Sequence, residues 1–204
     1  MSGGLVEVLF PASELRARVR ALGAAIERDH EPTRAPLLLV GILKGSTFFL
    51  ADLVRALRLD VSVDFMSISS YAHSGPQSGI VRILKDLDED IGGRDVVLVE
   101  DIVDTGLTLN YLRRTLAGRA PNSLRTVTLL DKSARRIVPV EIEYTGFQIP
   151  DVFVLGYGLD WQGLYRNLPE LLVVTDVARL ASDPLAIADR FGVTDAERGV
   201  RFGP

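Results

Sequence analysis

Leu15, Val19, Leu22 and Ile26 recur at intervals of roughly 3.6 residues, which predicts an amphipathic helix from about Ser13 to Asp29, with Ser13 as its N-cap. Pro32 and Pro36 interrupt the chain after it. Leu37–Leu43 is then a continuous apolar run, the pattern of a strand buried on both faces. Helical spacing returns from Thr47 to Leu57 through Phe49, Leu53, Val54 and Leu57. Val61, Val63 and Phe65 alternate with polar positions, as in a strand, and Ile80–Leu84 reads as its returning partner. The polar stretch between them, Tyr71 to Gly79, predicts a mobile loop. Asp95–Glu100 and Leu124–Leu130 are two further strands around a helix from Leu107 to Ala117. Val138–Tyr144, Val152–Leu155 and Leu171–Val174 are short strand candidates. Pro184–Phe191 has the composition of a short helix in a more polar tail.

Strands alternating with helices predict an α/β fold with a mainly parallel, twisted sheet flanked by helices. Such sheets take ligands beyond the carboxyl ends of their strands. The chain has 204 residues, 47% apolar and 25% charged, enough for one well-cored domain. There is no cysteine, which excludes disulfides, thiolate catalysis and thiolate zinc sites. A net charge of −4 argues against a nucleic-acid partner. No apolar run is long enough to span a bilayer, and Met1–Phe10 carries no secretory pattern, so a cytoplasmic protein without a membrane partner is expected.

The segment from Val96 to Leu109, VVLVEDIVDTGLTL, changes the picture most. An apolar strand runs into Glu100 and Asp101, two adjacent carboxylates that repel each other and are costly to bury unpaired. A hydrated Mg²⁺ with sugar hydroxyls would offset that cost, because Mg²⁺ prefers oxygen ligands and keeps several waters. Asp104, Thr105, Gly106, Leu107 and Thr108 follow and enter a helix. A glycine turn at a helix N-terminus presents backbone N–H groups to a phosphate dianion. Metal-binding acids and a phosphate cradle thus lie within one ribose 5-phosphate of each other.

This segment resembles the phosphoribosyl-pyrophosphate (PRPP) signature of type I phosphoribosyltransferases. The resemblance implies that Glu100 and Asp101 hold the ribose hydroxyls, directly or through Mg²⁺, and that residues 104–108 hold the 5-phosphate. It places Asp104 beside purine N7 as general acid/base. Four further segments resemble the hypoxanthine-guanine branch. Lys44–Gly45 matches an LKG turn that contacts pyrophosphate, often through a cis peptide. Ser70–Tyr71 matches a flexible loop that closes over the site. Lys132, which the residues alone leave open as a solvated strand-end lysine, matches the one that bonds the purine O6. In Ile149–Asn167, Phe153 matches the base-stacking aromatic, Val154 a backbone reader of the purine edge, Asp160 a ligand of a second Mg²⁺ and Arg166 a pyrophosphate contact. Trp161 departs from the family's usual Tyr.

The implied activity is purine salvage: PRPP with hypoxanthine or guanine gives the nucleoside 5-monophosphate and pyrophosphate. A xanthine-preferring transferase and a PRPP-sensing nucleic-acid regulator are the rivals. The family implies a homodimer or homotetramer. The expected organisation is one transferase domain over residues 1–176, with a small hood from the N-terminal segment and about 148–176, and a tail over 177–204.

Overall fold

The apolar run at Leu37–Leu43 is β2, and its alternation sorts side chains to two faces. Leu37 and Leu39 join one core, Leu38, Val40 and Ile42 the other. In this computed structural model, which describes residues 5–30, 35–70, 81–183 and 186–187, β2 lies at the centre of a six-stranded sheet. Its other strands are β3 (Val61–Ser70), β4 (Val81–Lys85), β5 (Asp95–Val103), β6 (Ser123–Asp131) and β7 (Tyr144–Gln148). The order is β4-β3-β2-β5-β6-β7, parallel throughout except for the antiparallel β3–β4 pair.

Helices α1 (Ala12–Asp29) and α2 (Thr47–Ala56) cover one face, and α3 (Leu107–Ala117) covers the other. All four predicted apolar positions of α1 are buried. Phe49 of α2 is fully buried between that helix pair and the sheet. Phe49→Ala is expected to destabilise the protein by about 3–5 kcal/mol, from lost transfer energy plus an unfilled cavity, as read by urea unfolding.

A second sheet of three antiparallel strands, β1-β9-β8, is built from β1 (Val6–Phe10), β8 (Phe153–Leu155) and β9 (Leu171–Val174). It carries its own small core around Leu155, Tyr165, Leu172 and Leu180. Leu180 comes from α4 (Val177–Ser182), a short helix capped by Asp176, whose side chain accepts from the Arg179 N–H at 2.8 Å. No described helix is long and apolar enough to cross a membrane.

Some boundaries differ from expectation. Ser13 is not the N-cap of α1. Pro11 is, in extended conformation, and its carbonyl accepts from Glu14 and Leu15 at 3.0 and 3.1 Å. Proline has no N–H to leave unsatisfied there. The predicted strand Val138–Tyr144 does not form, and β7 starts at Tyr144. Its first backbone donor is committed elsewhere: the Val138 N–H donates to the Thr105 carbonyl at 3.3 Å, alongside that of the preceding Ile137 at 2.9 Å. Pro139 has no donor to offer. The Glu143 carboxylate takes the Thr126 N–H at 2.6 Å, which ends the ladder on β6. The strand β5 runs three residues beyond its predicted end, so Glu100 and Asp101 lie within it. The predicted loop at Tyr71–Gly79 and most of the predicted Pro184–Phe191 helix lie outside the described residues.

Candidate active site

The carboxyl ends of β2, β5, β6 and β7 point the same way, and the turns that follow them form the site. Successive strand residues face opposite sides of a sheet. Glu100 and Asp101 therefore diverge, although they are neighbours in sequence. Glu100 is 5% exposed and lines a cavity of about 140 Å³ at the start of α3. Asp101 faces the turn before α2, so close that a Cβ on Gly45 would lie 1.6 Å from its Oδ2.

The small cavity is walled by Asp104, Thr105, Gly106 and Thr108. Gly106 is the N-cap of α3 with φ +83°, a left-handed conformation that glycine adopts without strain. A Cβ there would also meet the Val138 carbonyl and the Arg136 side chain, both at 2.9 Å. No side chain caps α3 and no acid stands in its first turn. Its leading N–H groups and the positive end of the helix dipole thus favour an anion.

A larger cavity of about 450 Å³ adjoins it, sharing Ile102 and Asp104 as a wall. It gathers Asp104, Lys132, Phe153, Val154 and Asp160, which are scattered over the sequence, together with Arg135, Asp151 and Leu159. Lys132 follows β6 and is 8% exposed, with its backbone N–H on the Val103 carbonyl at 2.9 Å. Phe153 packs edge-on against Trp161, ring centroids 5.3 Å apart. The buried Trp161 Nε1 has no hydrogen-bond partner among the described residues. Asp104 Oδ1 is 2.9 Å from Arg135 Nε.

The third part is the turn after β2. The Leu43–Lys44 peptide is cis, Lys44 is exposed and Gly45 is buried. Ser46 Oγ donates to the Ile42 carbonyl at 2.6 Å and Thr47 Oγ1 to the Lys44 carbonyl at 2.7 Å, which fix the turn. Against it packs Gly158, φ +102°, where a Cβ would lie 2.1 Å from the Gly45 carbonyl. Arg166 donates to the Gly158 carbonyl at 2.6 Å and pairs with Asp160 at 2.6 Å. Asp160 also accepts from the Gly163 N–H at 2.7 Å. Ser70 ends β3, and Tyr71 lies outside the described residues.

Sequence reasoning missed Arg135, Asp151, Tyr157 and Asp52. Tyr157 donates to Asp52 at 2.6 Å, which ties the Gly156–Gly158 bend to α2. Glycines on both sides of a tyrosine were the available signal for that bend.

Burial is the main influence on the two acids of β5. It pushes Glu100 well above the ordinary carboxylate range, and the charge of Asp101 adds to the rise. It pushes Asp101 from 3.8 to about 6, against the Ile102 N–H and Arg166, which lower it, and with Asp160, which raises it. Neither acid has an ion-pair partner among the described residues. Nor do those residues contain three clustered His, Cys, Asp or Glu side chains that could cage a metal alone. One or two desolvated carboxylates fit Mg²⁺ when substrate oxygens and water complete its shell.

The folded chain thus binds protons on these acids at a pH where the unfolded chain has released them. Stability therefore falls as pH rises through the window between about 4 and 6. Asp101→Asn keeps the shape and the acceptor for Ile102 while removing the charge. It is expected to raise unfolding free energy at pH 8 by about 1–3 kcal/mol, with little gain at pH 4. Thermal unfolding at the two pH values, without ligands, checks this.

Sequence and structure comparisons agree with this geometry. The family pattern described as "Phosphoribosyl transferase domain" matches residues 12–162. The hypoxanthine phosphoribosyltransferase of Escherichia coli K12 is 49% identical over 164 residues, 80% of this chain and 92% of that protein. The hypoxanthine-guanine phosphoribosyltransferase of Mycobacterium tuberculosis H37Rv is 49% identical over 170 residues, 81% of this chain and 84% of that one. A crystal structure of a hypoxanthine-guanine phosphoribosyltransferase from Bacillus anthracis superposes with a TM-score of 0.78 at 44% identity, covering 83% of this chain and 98% of that chain. With this fold, and this much of its length shared with such relatives, the chain belongs to the phosphoribosyltransferase domain family.

Proposed function

We propose that this protein is a purine-salvage enzyme that transfers the 5-phosphoribosyl group of PRPP to N9 of hypoxanthine or guanine, releasing pyrophosphate. The observation that carries the reading is two adjoining cavities with Asp104 in their common wall, one lined by a phosphate-type turn and one by Lys132 and Phe153. Near-50% identity to enzymes named for that transfer supports it.

In this reading the N–H groups of residues 105–108 hold the 5-phosphate. Glu100 and Asp101 take the ribose hydroxyls. The turn at Lys44–Gly45 and Arg166 hold the pyrophosphate. Glu100, Asp101 and Asp160 are the residues that would hold Mg²⁺, and the ion when bound would neutralise charge on the leaving pyrophosphate. Phe153 stacks on the base and the Val154 backbone reads its edge. Lys132 donates to O6, which an adenine amino group cannot match, so adenine would leave a buried cation unsatisfied. Asp104 manages the proton on N7 as N9 attacks C1 with inversion. Ser70 and Tyr71 belong to the segment that shields the site from water. A cytoplasmic setting suits substrates whose phosphates keep them from crossing membranes. The assembly is a homodimer or homotetramer, which sedimentation would read.

Pyrophosphate release from PRPP and Mg²⁺ should be measured with hypoxanthine, guanine, xanthine and adenine in parallel. The expected result is turnover with an oxopurine, none with adenine, and loss of activity on chelation of Mg²⁺. Turnover with adenine, or with no purine at all, would sink the reading.

A further inference from the structure

The base cavity holds more charge than base recognition requires. Three carboxylates and two cations face it: Asp104, Asp151 and Asp160, with Lys132 and Arg135. Asp160 is engaged by Arg166 at 2.6 Å and by the Gly163 N–H. Asp104 is engaged by Arg135 Nε at 2.9 Å. That leaves Asp151 as the acid able to capture Lys132.

Asp151 pairs with it only loosely, as an ion pair without a hydrogen bond. Its Oδ1 is 3.7 Å from Lys132 Nζ, beyond hydrogen-bond reach. Instead both its oxygens accept from Arg135 Nη1, at 3.1 and 3.2 Å. Arg135 is thus held by two acids: Nη1 hydrogen-bonds Asp151, and Nε forms an ion pair with Asp104 Oδ1 without hydrogen-bond geometry. It sits in the short 3-10 turn Ser133–Arg135 that directly follows Lys132. The planar guanidinium suits such a fixed two-sided grip, which a lysine could not reproduce.

We infer that Arg135 is a positioning residue for base selection: by holding Asp151 beyond hydrogen-bond reach of Lys132, it leaves the N–H groups of the ammonium available to donate to the carbonyl oxygen of an incoming oxopurine. This rests on the reading of Lys132 as the base contact. Without Arg135, Asp151 turns to its next cation, and every base that binds must first break a charge-assisted pair. The Lys132–Asp151 pair lies outside the phosphate cradle and the pyrophosphate turn, so its cost falls on KM for the base, whereas the lost Arg135 contact to Asp104 is read in kcat.

Steady-state kinetics of Arg135→Gln, Asp151→Asn, the double variant and Lys132→Met test this, with KM measured separately for hypoxanthine and PRPP. Arg135→Gln should raise KM for hypoxanthine about tenfold or more, the worth of a charge-assisted hydrogen bond, with KM for PRPP changed less than about twofold. The double variant should return KM for hypoxanthine to that of Asp151→Asn. A role confined to stability would move thermal unfolding and leave this split and this rescue unseen. Arg135 is 45% exposed, so its replacement does not threaten folding. If Lys132→Met raises KM for hypoxanthine and Arg135→Gln does not, or if the double variant stays impaired, the inference fails while the base contact stands. If Lys132→Met leaves that KM unchanged, the base contact fails and the inference with it.

Discussion

Asp104→Asn is expected to lower kcat by about 10²–10⁴-fold while leaving KM for both substrates nearly unchanged. The substitution keeps the size of the side chain and an oxygen for Arg135 Nε, which lies 2.9 Å from Oδ1. It removes the negative charge, and with it the capacity to take and return a proton. Asp104 stands in the wall between the smaller and the larger cavity, where, under the proposed function, a ribose carbon and a purine nitrogen would meet. Nothing else within that shared wall can carry a proton, since its other member is Ile102. Steady-state rates with saturating PRPP and hypoxanthine provide the check. A fall in kcat of less than about threefold would take the general acid/base role away from Asp104.

How much of this was legible in the sequence depends on the range over which each feature is determined. Local periodicity was enough for α1, whose four apolar positions are all buried, and for β2, whose unbroken run marked it as central. The turn at Asp104–Thr108 was legible because its requirements are also local: a left-handed glycine and an uncapped helix start. The strand β1 was not foreseen. It is short and half exposed, and it forms only because Val6–Phe10 pairs with β9, far away in sequence. The false strand at Val138–Tyr144 is the converse case. Its alternation suits a strand, but the Thr105 carbonyl takes the Val138 N–H and the Glu143 carboxylate takes the Thr126 N–H of β6, while Arg113 holds the Glu141 and Glu143 side chains.

The site shows the same division. Residues inside motifs could be named in advance. Arg135 and Asp151 could not, because their contact depends on how the turns after β6 and β7 meet. Glu100 and Asp101 are adjacent in sequence, but which wall each lines was not legible there: Glu100 lines the α3 cavity and Asp101 lies against the Gly45 turn.

That divergence makes Gly45 the position where the smallest change should do the most damage. A methyl group at residue 45 would lie 1.6 Å from Asp101 Oδ2 and 2.6 Å from its Cγ. The aspartate is too short to swing clear without giving up its 3.0 Å bond to the Ile102 N–H. Nor can the turn retreat, because Gly158 packs on the Gly45 carbonyl from the other side. Gly45→Ala must therefore displace the Lys44–Gly45 turn, Asp101, or both, and misplacement by about 1 Å can cost about 10²-fold in rate. The expected result is a loss of that order in kcat/KM for PRPP, with the fold intact by circular dichroism. The mechanism predicts strong non-additivity, since the clash needs both partners. In an Asp101→Gly background, where no carboxylate is left to strike, Gly45→Ala should cost little more. Losses that simply multiply would mean that residue 45 matters for a reason other than its contact with Asp101.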